Sequence, residues 1–251
     1  MGKIYIGTSG YNYKHWKEVF YPKNIPPKNW LSYYSKHFDT VEINATFYGN
    51  FKKETFEKWK NSTPKDFCFA IKGPRFITHI KRLKTEDLSL KRFFDSALGL
   101  GKKLGVILWQ FAPNFHNNQE NKARLVNFLK LLKTSAGLPA GRQVFEFRHK
   151  SWFAKEVYDL LDKSKTGIVI SESGRFPSED KIISDICYIR FHGPSSLYSS
   201  SYSTKQLENW AQKIKNWKVA RIYCFFNNDA QAFAVKNALK LRRILNEKNH
   251  S

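Results

Sequence analysis

Several strand-like stretches of the sequence carry charged or amide side chains on the face that would turn toward a folded interior. In Val41–Tyr48, the alternation of side chains along a strand puts Glu42 and Asn44 on the face opposite Val41 and Ile43. A carboxylate on the inner face of a strand is costly unless it has a use. The pattern therefore marks a candidate functional centre. Further strand-like runs repeat it with Lys72, with Glu146 and Arg148, and with Tyr188, Arg190 and His192.

These side chains suit the binding of an anion and the transfer of protons. The three cations of Lys72, Arg148 and Arg190 outnumber the two inward carboxylates, and arginine pairs well with planar oxyanions such as phosphate and carboxylate. Imidazole titrates near neutral pH, so His192 is a candidate general acid or base. We predict acid/base chemistry on a small anionic substrate. The catalytic candidates are Glu42, Glu146 and His192, and the substrate-binding candidates are Trp16, Asn44, Lys72, His79, Gln110, Arg148, Arg190 and Asn227.

The same residues allow other interpretations. A purely structural lattice of ion pairs could fill this layer, for example by joining Glu146 to Arg190. A glycosidase would use Glu42 and Glu146 as acid and nucleophile, and the distance between the two carboxylates would decide the case. Its sugar platforms would be Trp16, Trp109 or Trp152, which are more simply explained as packing anchors. A barrel that binds a ligand without catalysis is a further possibility.

A metal site is a less favoured alternative. It would draw on oxygen and nitrogen ligands near the predicted strand ends, but no H-x-H or H-E-x-x-H spacing occurs. Neighbouring cations also disfavour a divalent ion. We therefore predict no cofactor and leave a divalent metal as the weaker hypothesis. Its ligands would come from Glu42, His79, Glu146, Glu172 and His192.

The candidate residues lie on regularly alternating strand-like and helix-like segments. Alternating β and α segments predict a parallel sheet covered by helices, and eight of them in about 250 residues favour a closed (β/α)8 barrel over an open sheet. Polar residues at the C-terminal strand ends form the site of such a barrel. We predict one barrel domain over residues 1–246 and a polar tail over 247–251. The predicted strands are 3–8, 39–44, 67–72, 104–110, 144–148, 167–171, 186–192 and 221–226.

The composition is that of a strongly basic globular protein, with a formal net charge of +22. Such a field attracts anionic metabolites and nucleic acid. A nucleic-acid-binding or processing protein is therefore the alternative function, although the basic residues are scattered and no recognition signature is present. The apolar runs are too short to span a bilayer, so we expect no membrane partner.

The cysteines and the N-terminus predict a cytoplasmic location. Cys68, Cys187 and Cys224 each lie in an apolar run without C-x-x-C spacing, which indicates buried free thiols in a reducing compartment. The first residues show no signal-peptide pattern.

Many spaced motifs cover the chain from Lys3 to about Leu245, and together they resemble the YecE-like family, also called domain of unknown function 72 (DUF72). This resemblance implies a (β/α)8 barrel and no established activity or catalytic residue. The motifs are Gly7-Thr8-Ser9-Gly10-Tyr11-x-Tyr13-x-x-Trp16, Phe20-Tyr21-Pro22, Val41-Glu42-Ile43-Asn44-x-Thr46-Phe47-Tyr48, Thr78-His79, Glu146-x-Arg148-x-x-Ser151-Trp152, Tyr188-x-Arg190-x-His192-Gly193 and Phe226-Asn227-Asn228.

The chain departs from the family pattern at a few places. Tyr11 stands where the family more often has Trp, and strand six ends in Ser171-Glu172 where an Asp is expected. The stretch 135–143 is interpreted as an additional peripheral loop before strand five.

Overall fold

Strands and helices alternate along the chain in the computed structural model, which describes residues 2–84, 87–134 and 141–247. The strands are β1 Lys3–Thr8, β2 Thr40–Ile43, β3 Cys68–Lys72, β4 Leu104–Gln110, β5 Gln143–Glu146, β6 Gly167–Glu172, β7 Ile186–Phe191 and β8 Arg221–Phe226.

Helices occupy the connections between the strands, except for residues 173–185 between β6 and β7, which are irregular. The α-helices are α1 Trp30–Tyr34, α2 Ala45–Tyr48, α3 Lys53–Asn61, α4 Asp87–Ala97, α5 Gln119–Thr134, α6 Lys155–Lys163, α7 Thr204–Asn216 and α8 Phe233–Glu247. Short 3-10 turns lie at Lys14–Trp16, Pro27–Asn29, Leu98–Lys103, Lys150–Trp152 and Ala230–Ala232, and a π-turn lies at Phe76–Ile80. None of the helices in the described ranges is long and apolar enough to cross a membrane.

The eight strands form a single parallel sheet in the order β1-β8-β7-β6-β5-β4-β3-β2. The two end strands, β1 and β2, meet through a parallel bridge between Ser9 and Glu42, and the Gly10 amide donates to the Glu42 carbonyl at 2.8 Å. The sheet is thus a nearly closed barrel with helices around it. This confirms the (β/α)8 fold predicted from the alternation of segments.

The seam between β1 and β2 is held by a tyrosine of α1. The Tyr34 hydroxyl accepts from the Thr8 amide at 2.9 Å and donates to the Thr40 carbonyl at 3.1 Å. Tyr34 is fully buried. Because β1 and β2 share only the bridge at Ser9 and Glu42, this hydroxyl supplies bonds that a continuous ladder would otherwise make.

The strand alternation separates two apolar cores. One fills the barrel and contains Tyr5, Ala70, Leu108 and Tyr223, while the larger one lies between the barrel and its helices. On β3, Phe69 and Ile71 face outward into the larger core, opposite the inward face predicted for Lys72. Above the inner core, toward the C-terminal strand ends, the inward positions become polar, and this change positions the site. The inward polar residues are Glu42, Lys72, Gln110, Glu146 and Arg190, all buried.

Some predicted strands are too long at their C-terminal ends. β2 ends at Ile43 because Asn44 takes a helical conformation (φ −82°, ψ −20°) and starts α2. Thr46 therefore does not share the inner face with Glu42, and its hydroxyl donates to the Ile43 and Lys72 carbonyls instead. β5 ends at Glu146, which is its last residue paired with β4, and β6 pairs with it only at Val144 and Phe145.

Smaller predictions have mixed outcomes. The three cysteines are buried free thiols, as predicted, and Ser203 and Gln206 form a capping box at the start of α7. In the structure β5 begins at Gln143, one residue earlier than predicted. The predicted peripheral loop falls mostly on residues 135–140, outside the described ranges. The predicted tail overlaps α8 at Glu247, and residues 248–251 also lie outside those ranges.

Replacing Tyr34 by Phe should lower the free energy of unfolding by about 1–3 kcal/mol, because the buried Thr8 amide and Thr40 carbonyl both lose a partner. Urea-induced unfolding, followed by circular dichroism, measures the change. Tyr33→Phe is the matched control, since this neighbouring tyrosine is only partly buried, and its loss of a hydroxyl should have little effect. If both substitutions lower the free energy of unfolding equally, the role assigned to the Tyr34 hydroxyl at the seam between β1 and β2 is wrong.

Candidate functional site

Arg190, at the C-terminal end of β7, is the centre of the polar layer. Its Nε and Nη2 donate to the two carboxylate oxygens of Glu42 at 3.0 and 2.8 Å. Its Nη1 donates to Glu146 Oε2 at 2.8 Å. All three side chains are essentially inaccessible to solvent. Part of the site is therefore the structural ion-pair lattice that the sequence left as an alternative.

Each carboxylate oxygen of Glu42 accepts two hydrogen bonds. Besides Arg190, Oε1 accepts from the Ser9 hydroxyl at 2.7 Å and Oε2 accepts from the Tyr188 hydroxyl at 2.6 Å. Burial by itself would raise the pKa of Glu42, but the charge and hydrogen bonds of Arg190, with those of Tyr188 and Ser9, hold this pKa below its usual value. Glu42 is thus a fixed counterion.

Glu146 is held in a similar way. Its Oε2 also accepts from Gln110 Nε2 at 2.8 Å, and Arg148 Nε lies 3.4 Å from Oε1. Burial opposes ionisation, but the charges of Arg190 and Arg148 place the pKa of Glu146 well below its usual value. A carboxylate that stays ionised at neutral pH is a weak proton donor, which is unfavourable for the predicted acid role.

His192 lies beneath the cavity and has no exposed surface. Its Nδ1 lies 3.2 Å from Asn227 Nδ2. Its Nε2 lies 3.4 Å from Glu146 Oε1 without a hydrogen bond to any described residue. Burial lowers the pKa of His192 to about 4, so the ring is neutral at physiological pH.

Gln110 connects the lattice to Lys72. Because Glu146 can only accept, the Gln110 amide must turn its NH2 toward Glu146, and its Oε1 then faces Lys72 Nζ at 2.9 Å. Lys72 Nζ also lies 3.9 Å from the centroid of the Phe47 ring. Burial, and next the charge of Arg190, lower the pKa of Lys72 to about 7.

A cavity of about 410 Å³ opens above this layer at the strand ends. Its walls are polar and aromatic, and Lys72 and Arg148 face it with their cationic groups. The lining residues are Tyr13, Asn44, Tyr48, Lys72, Gln110, Arg148, Arg190, Tyr198, Asn227, Asp229 and Ala230. A second cavity of about 340 Å³ beside α4 is mainly apolar, with Arg92 as its one cation among the described lining residues.

Arg148 is the cation with the loosest attachments. Its nearest polar contacts are Glu146 at 3.4 Å and the Tyr198 hydroxyl at 3.4 Å, which are long for charged hydrogen bonds. The guanidinium stacks over the Phe176 ring at 4.1 Å. Arg148 therefore keeps N–H donors that a ligand in the cavity can use.

Asp229 is a wall residue that the sequence analysis missed. Its Oδ1 accepts from the Trp16 indole at 2.8 Å, and its Oδ2 lies 2.9 Å from His15 Nε2. Burial raises the pKa of Asp229 to about 6. The signal for it was its place directly after β8 and Asn227-Asn228, where the ends of barrel strands carry functional residues.

Strained backbone accompanies Asp229 and the opposite loop. Gln231 (φ 56°), Ala232 (φ 58°) and Tyr198 (φ 64°) are non-glycine residues in the left-handed region. Such conformations cost free energy and cluster at binding sites. Tyr198 lines the cavity and contacts the His192 ring, with ring centroids 5.4 Å apart. The sequence offered no signal for Tyr198, because its loop is rich in Ser and Tyr throughout.

The structure brings most of the candidate residues together. Those that line the cavity are Asn44, Lys72, Gln110, Arg148, Arg190 and Asn227, while Glu42, Glu146 and His192 lie directly behind it. His79 contacts the outer edge of the Phe47 ring instead, with its Nδ1 2.9 Å from the Thr78 hydroxyl. Trp16 is fully buried and cannot touch a substrate, so its contribution is to hold Asp229.

The metal and sugar interpretations gain no geometric support. Within the described ranges, no group of three or more His, Cys, Asp and Glu side chains could hold a metal ion. Trp109 and Trp152 are fully buried like Trp16, so none of these three indoles offers a platform on which a sugar could stack.

The comparisons with known proteins agree with this architecture. The family model described as "Protein of unknown function DUF72" matches residues 5–251. The UPF0759 protein YunF of Bacillus subtilis is 26% identical over 281 aligned residues, which cover 96% of this chain and 94% of YunF. The UPF0759 protein YecE of Escherichia coli is 29% identical over 152 residues, or 61% of this chain and 51% of YecE.

A solved structure also matches over nearly the whole length. The crystal structure of a DUF72 family protein from Thermotoga maritima has a TM-score of 0.84 and 29% sequence identity, and the match covers 97% of this chain and 99% of that one.

Replacing Arg190 by Met should lower the free energy of unfolding by about 3–5 kcal/mol near neutral pH, because two buried carboxylates lose their main counterion. Chemical denaturation measures this loss. The control is Arg243→Met, which removes a guanidinium that pairs with Glu247 on an exposed face of α8, and it should leave stability nearly unchanged.

The loss caused by Arg190→Met should also depend on pH. In the natural protein the pKa values of Glu42 and Glu146 lie below 4.5, so their stabilisation is present above that value and is lost as pH falls through the folded values. Without Arg190, burial raises both values. The difference in free energy of unfolding between the natural protein and Arg190→Met should therefore shrink as pH falls from about 8 to about 5. A difference that stays constant over this range would contradict the role of Arg190 as the shared counterion.

Proposed function

The chain belongs to the DUF72 family, as its motifs predicted, and from this premise we propose that the barrel binds a small anionic molecule in the strand-end cavity. The anionic group would be a phosphate or a carboxylate, and the chemistry would be the transfer of protons to and from the bound molecule. The family description states no activity, so the proposal is supported by the site alone.

One observation supports the proposal above all others. The carboxylates of the polar layer are occupied by Arg190, whereas Arg148 faces the cavity through contacts of 3.4 Å or more. A planar guanidinium with unused donors matches the two oxygens of a carboxylate or phosphate. Phe176 covers one face of this guanidinium and so directs its edge toward a ligand.

Other wall residues supply complementary groups. Lys72 adds a second cation, and Asn227 offers an amide beside Arg190. The side-chain amide oxygen of Asn44, Oδ1, lies buried at the wall without a hydrogen-bond partner among the described residues. A buried acceptor of this kind favours a ligand hydroxyl or a bridging water.

In this proposal the proton-transfer groups are Lys72 and Asp229. Both line the cavity, and their pKa values of about 7 and about 6 lie near neutrality, where acid/base catalysis is most efficient. Glu42, Glu146 and His192 are then positioning residues. Their pKa values are all lowered, so they keep one protonation state.

The nucleic-acid alternative is not proposed. The family description and the names of the relatives give it no support. The cations that face the cavity are those of one site of about 410 Å³ at the strand ends.

Replacing Arg148 by Met should weaken the binding of inorganic phosphate or pyruvate by roughly 10- to 100-fold, the value of a charge-assisted hydrogen bond or two. Isothermal titration calorimetry measures the dissociation constants. Arg148→Lys should recover part of the affinity because it keeps the charge, and Arg243→Met should have no effect. Equal affinity in all four proteins would show that the anion does not bind here.

Anion binding should also weaken as pH rises. Since the pKa of Lys72 is about 7, its ammonium is present below that pH and is lost above it, and a neutral amine attracts an anion less. Calorimetry at several pH values should show this decline in the natural protein and a flatter profile in Lys72→Met. The same slope in both proteins would exclude Lys72 from the binding site.

A further inference from the structure

We propose that Lys72 is a nucleophilic amine that condenses with the carbonyl carbon of a small oxo acid, whose carboxylate is bound by Arg148. This inference rests on the proposed function and names the substrate class of the same cavity. The oxo acid is identified only by its chemistry, namely a ketone or aldehyde next to a carboxylate.

The surroundings of the Lys72 amine are those of a group kept free to react. Its one hydrogen-bond partner among the described residues is Gln110 Oε1, at 2.9 Å. A neutral amide oxygen accepts one N–H and leaves the nitrogen lone pair available. Because the Gln110 amide is oriented by Glu146, the amine has a defined position at the cavity wall.

The charges near Lys72 disfavour its ammonium form. Burial is the first cause of its lowered pKa, and the charge of Arg190 is the second, with Arg148 acting in the same direction. Glu146 and Glu42 act in the opposite direction, but their oxygens are bonded to Arg190. His79, whose pKa is lowered to about 4, is neutral and adds no charge. The Phe47 ring favours the ammonium form of Lys72, but it does not restore the pKa of Lys72 to its ordinary value.

The placement of Lys72 and Arg148 on one cavity fits an oxo acid. In such a molecule the carbonyl carbon is bonded directly to the carboxylate carbon, so an anchor and a nucleophile that line one cavity, at the ends of strands separated only by β4, can engage both groups at once. Tyr13, Tyr48 and Tyr198 complete the wall. Holding the carbonyl against the amine in this way raises the rate of condensation.

The reaction needs no oxidant or reductant. The lone pair of the neutral Lys72 amine attacks the carbonyl carbon, and the π electrons move to the oxygen, which takes up a proton as the nitrogen releases one. The carbinolamine then takes a proton on its hydroxyl and loses water while the nitrogen lone pair forms the C=N bond, and the resulting iminium nitrogen releases a proton to give the imine. The overall change is amine plus carbonyl to imine plus water. Asp229, which lines the same cavity and has a pKa of about 6, is the group that donates the proton to the hydroxyl and recovers it from the iminium nitrogen.

Lys103 provides an internal control. Its pKa is also lowered by burial, but its Nζ donates to the Lys60 and Thr63 carbonyls at 2.5 and 2.7 Å and to the Thr63 hydroxyl at 3.1 Å. An amine with three acceptors and no adjoining anion anchor should not condense with an oxo acid. The comparison of Lys103 with Lys72 therefore distinguishes the effect of a lowered pKa alone from the effect of lining the same cavity as Arg148.

The test is reductive trapping with pyruvate and sodium borohydride near pH 7, followed by intact mass measurement and peptide mapping. We expect one reduced adduct per chain, located at Lys72. The amine of Lys72 has a pKa of about 7 against the ordinary 10.5, so its neutral fraction near pH 7 exceeds that of a surface lysine by roughly 10³-fold. Lys72→Met should lose the adduct and Lys103→Met should retain it.

Two outcomes would overturn the proposal. One is an adduct spread over many lysines, with Lys72 labelled no faster than the rest in the natural protein. The other is calorimetric binding of pyruvate without trapping at Lys72, which would refute the imine while leaving the anion-binding function intact. The peptide map of the natural protein decides between these outcomes even if Lys72→Met fails to fold.

The role of the anion anchor is tested with acetone, a ketone without a carboxylate. We expect pyruvate to label Lys72 at least roughly tenfold faster than acetone, and Arg148→Met to remove most of that preference. If both ketones label Lys72 at the same rate, the oxo-acid substrate class and the proposed anion function are both refuted. The role of Lys72 as a nucleophilic amine would still be supported. The trapping rate should rise with pH through about 7, opposite to the trend of simple anion binding.

Discussion

The guanidinium of Arg190, placed between two buried carboxylates, is the interaction on which the upper half of the barrel depends. Removing charges from water is costly, and the cost is offset only when every group has partners in good geometry. Here Arg190 bonds both oxygens of Glu42 and one of Glu146. Ser9, Tyr188 and Gln110 occupy the remaining positions. The C-terminal ends of β2, β4, β5 and β7 are therefore joined across the barrel axis, while the layer below them is mainly apolar.

This lattice also divides the cations of the site by depth. Arg190 is used entirely within the wall, whereas Arg148 and Lys72 stand at its surface with contacts that a ligand can replace. Gln110 couples the two levels, since the carboxylate beneath it fixes which end of its amide faces Lys72. The low dielectric that makes the ion pairs strong is also what lowers the pKa of Lys72. Stability and reactivity thus follow from the same burial.

The loops above the strands complete the site through aromatic packing and local strain. Trp16 is buried among Tyr13, Tyr21 and Phe20, and its indole N–H holds Asp229 at the cavity wall. The left-handed conformations of Tyr198 and Gln231 persist because the surrounding contacts impose them. The buried Trp16 thus fixes the position of the titratable carboxyl group of Asp229, although Trp16 itself takes no part in proton transfer.

The sequence by itself determined the barrel and the address of the site. The period of two placed Glu42, Lys72, Glu146 and Arg190 on inward faces, because the alternation of side chains along a strand is a local property of the backbone. The exact strand ends at Ile43 and Glu146, the burial of Trp16 and the place of Asp229 required the tertiary structure. So did the finding that Glu42 and Glu146 share one guanidinium and that the groups with pKa values near neutrality are Lys72 and Asp229. These facts depend on which side chains of distant strands and loops meet and on how much water reaches them, and neither is encoded in the spacing of residues along one strand.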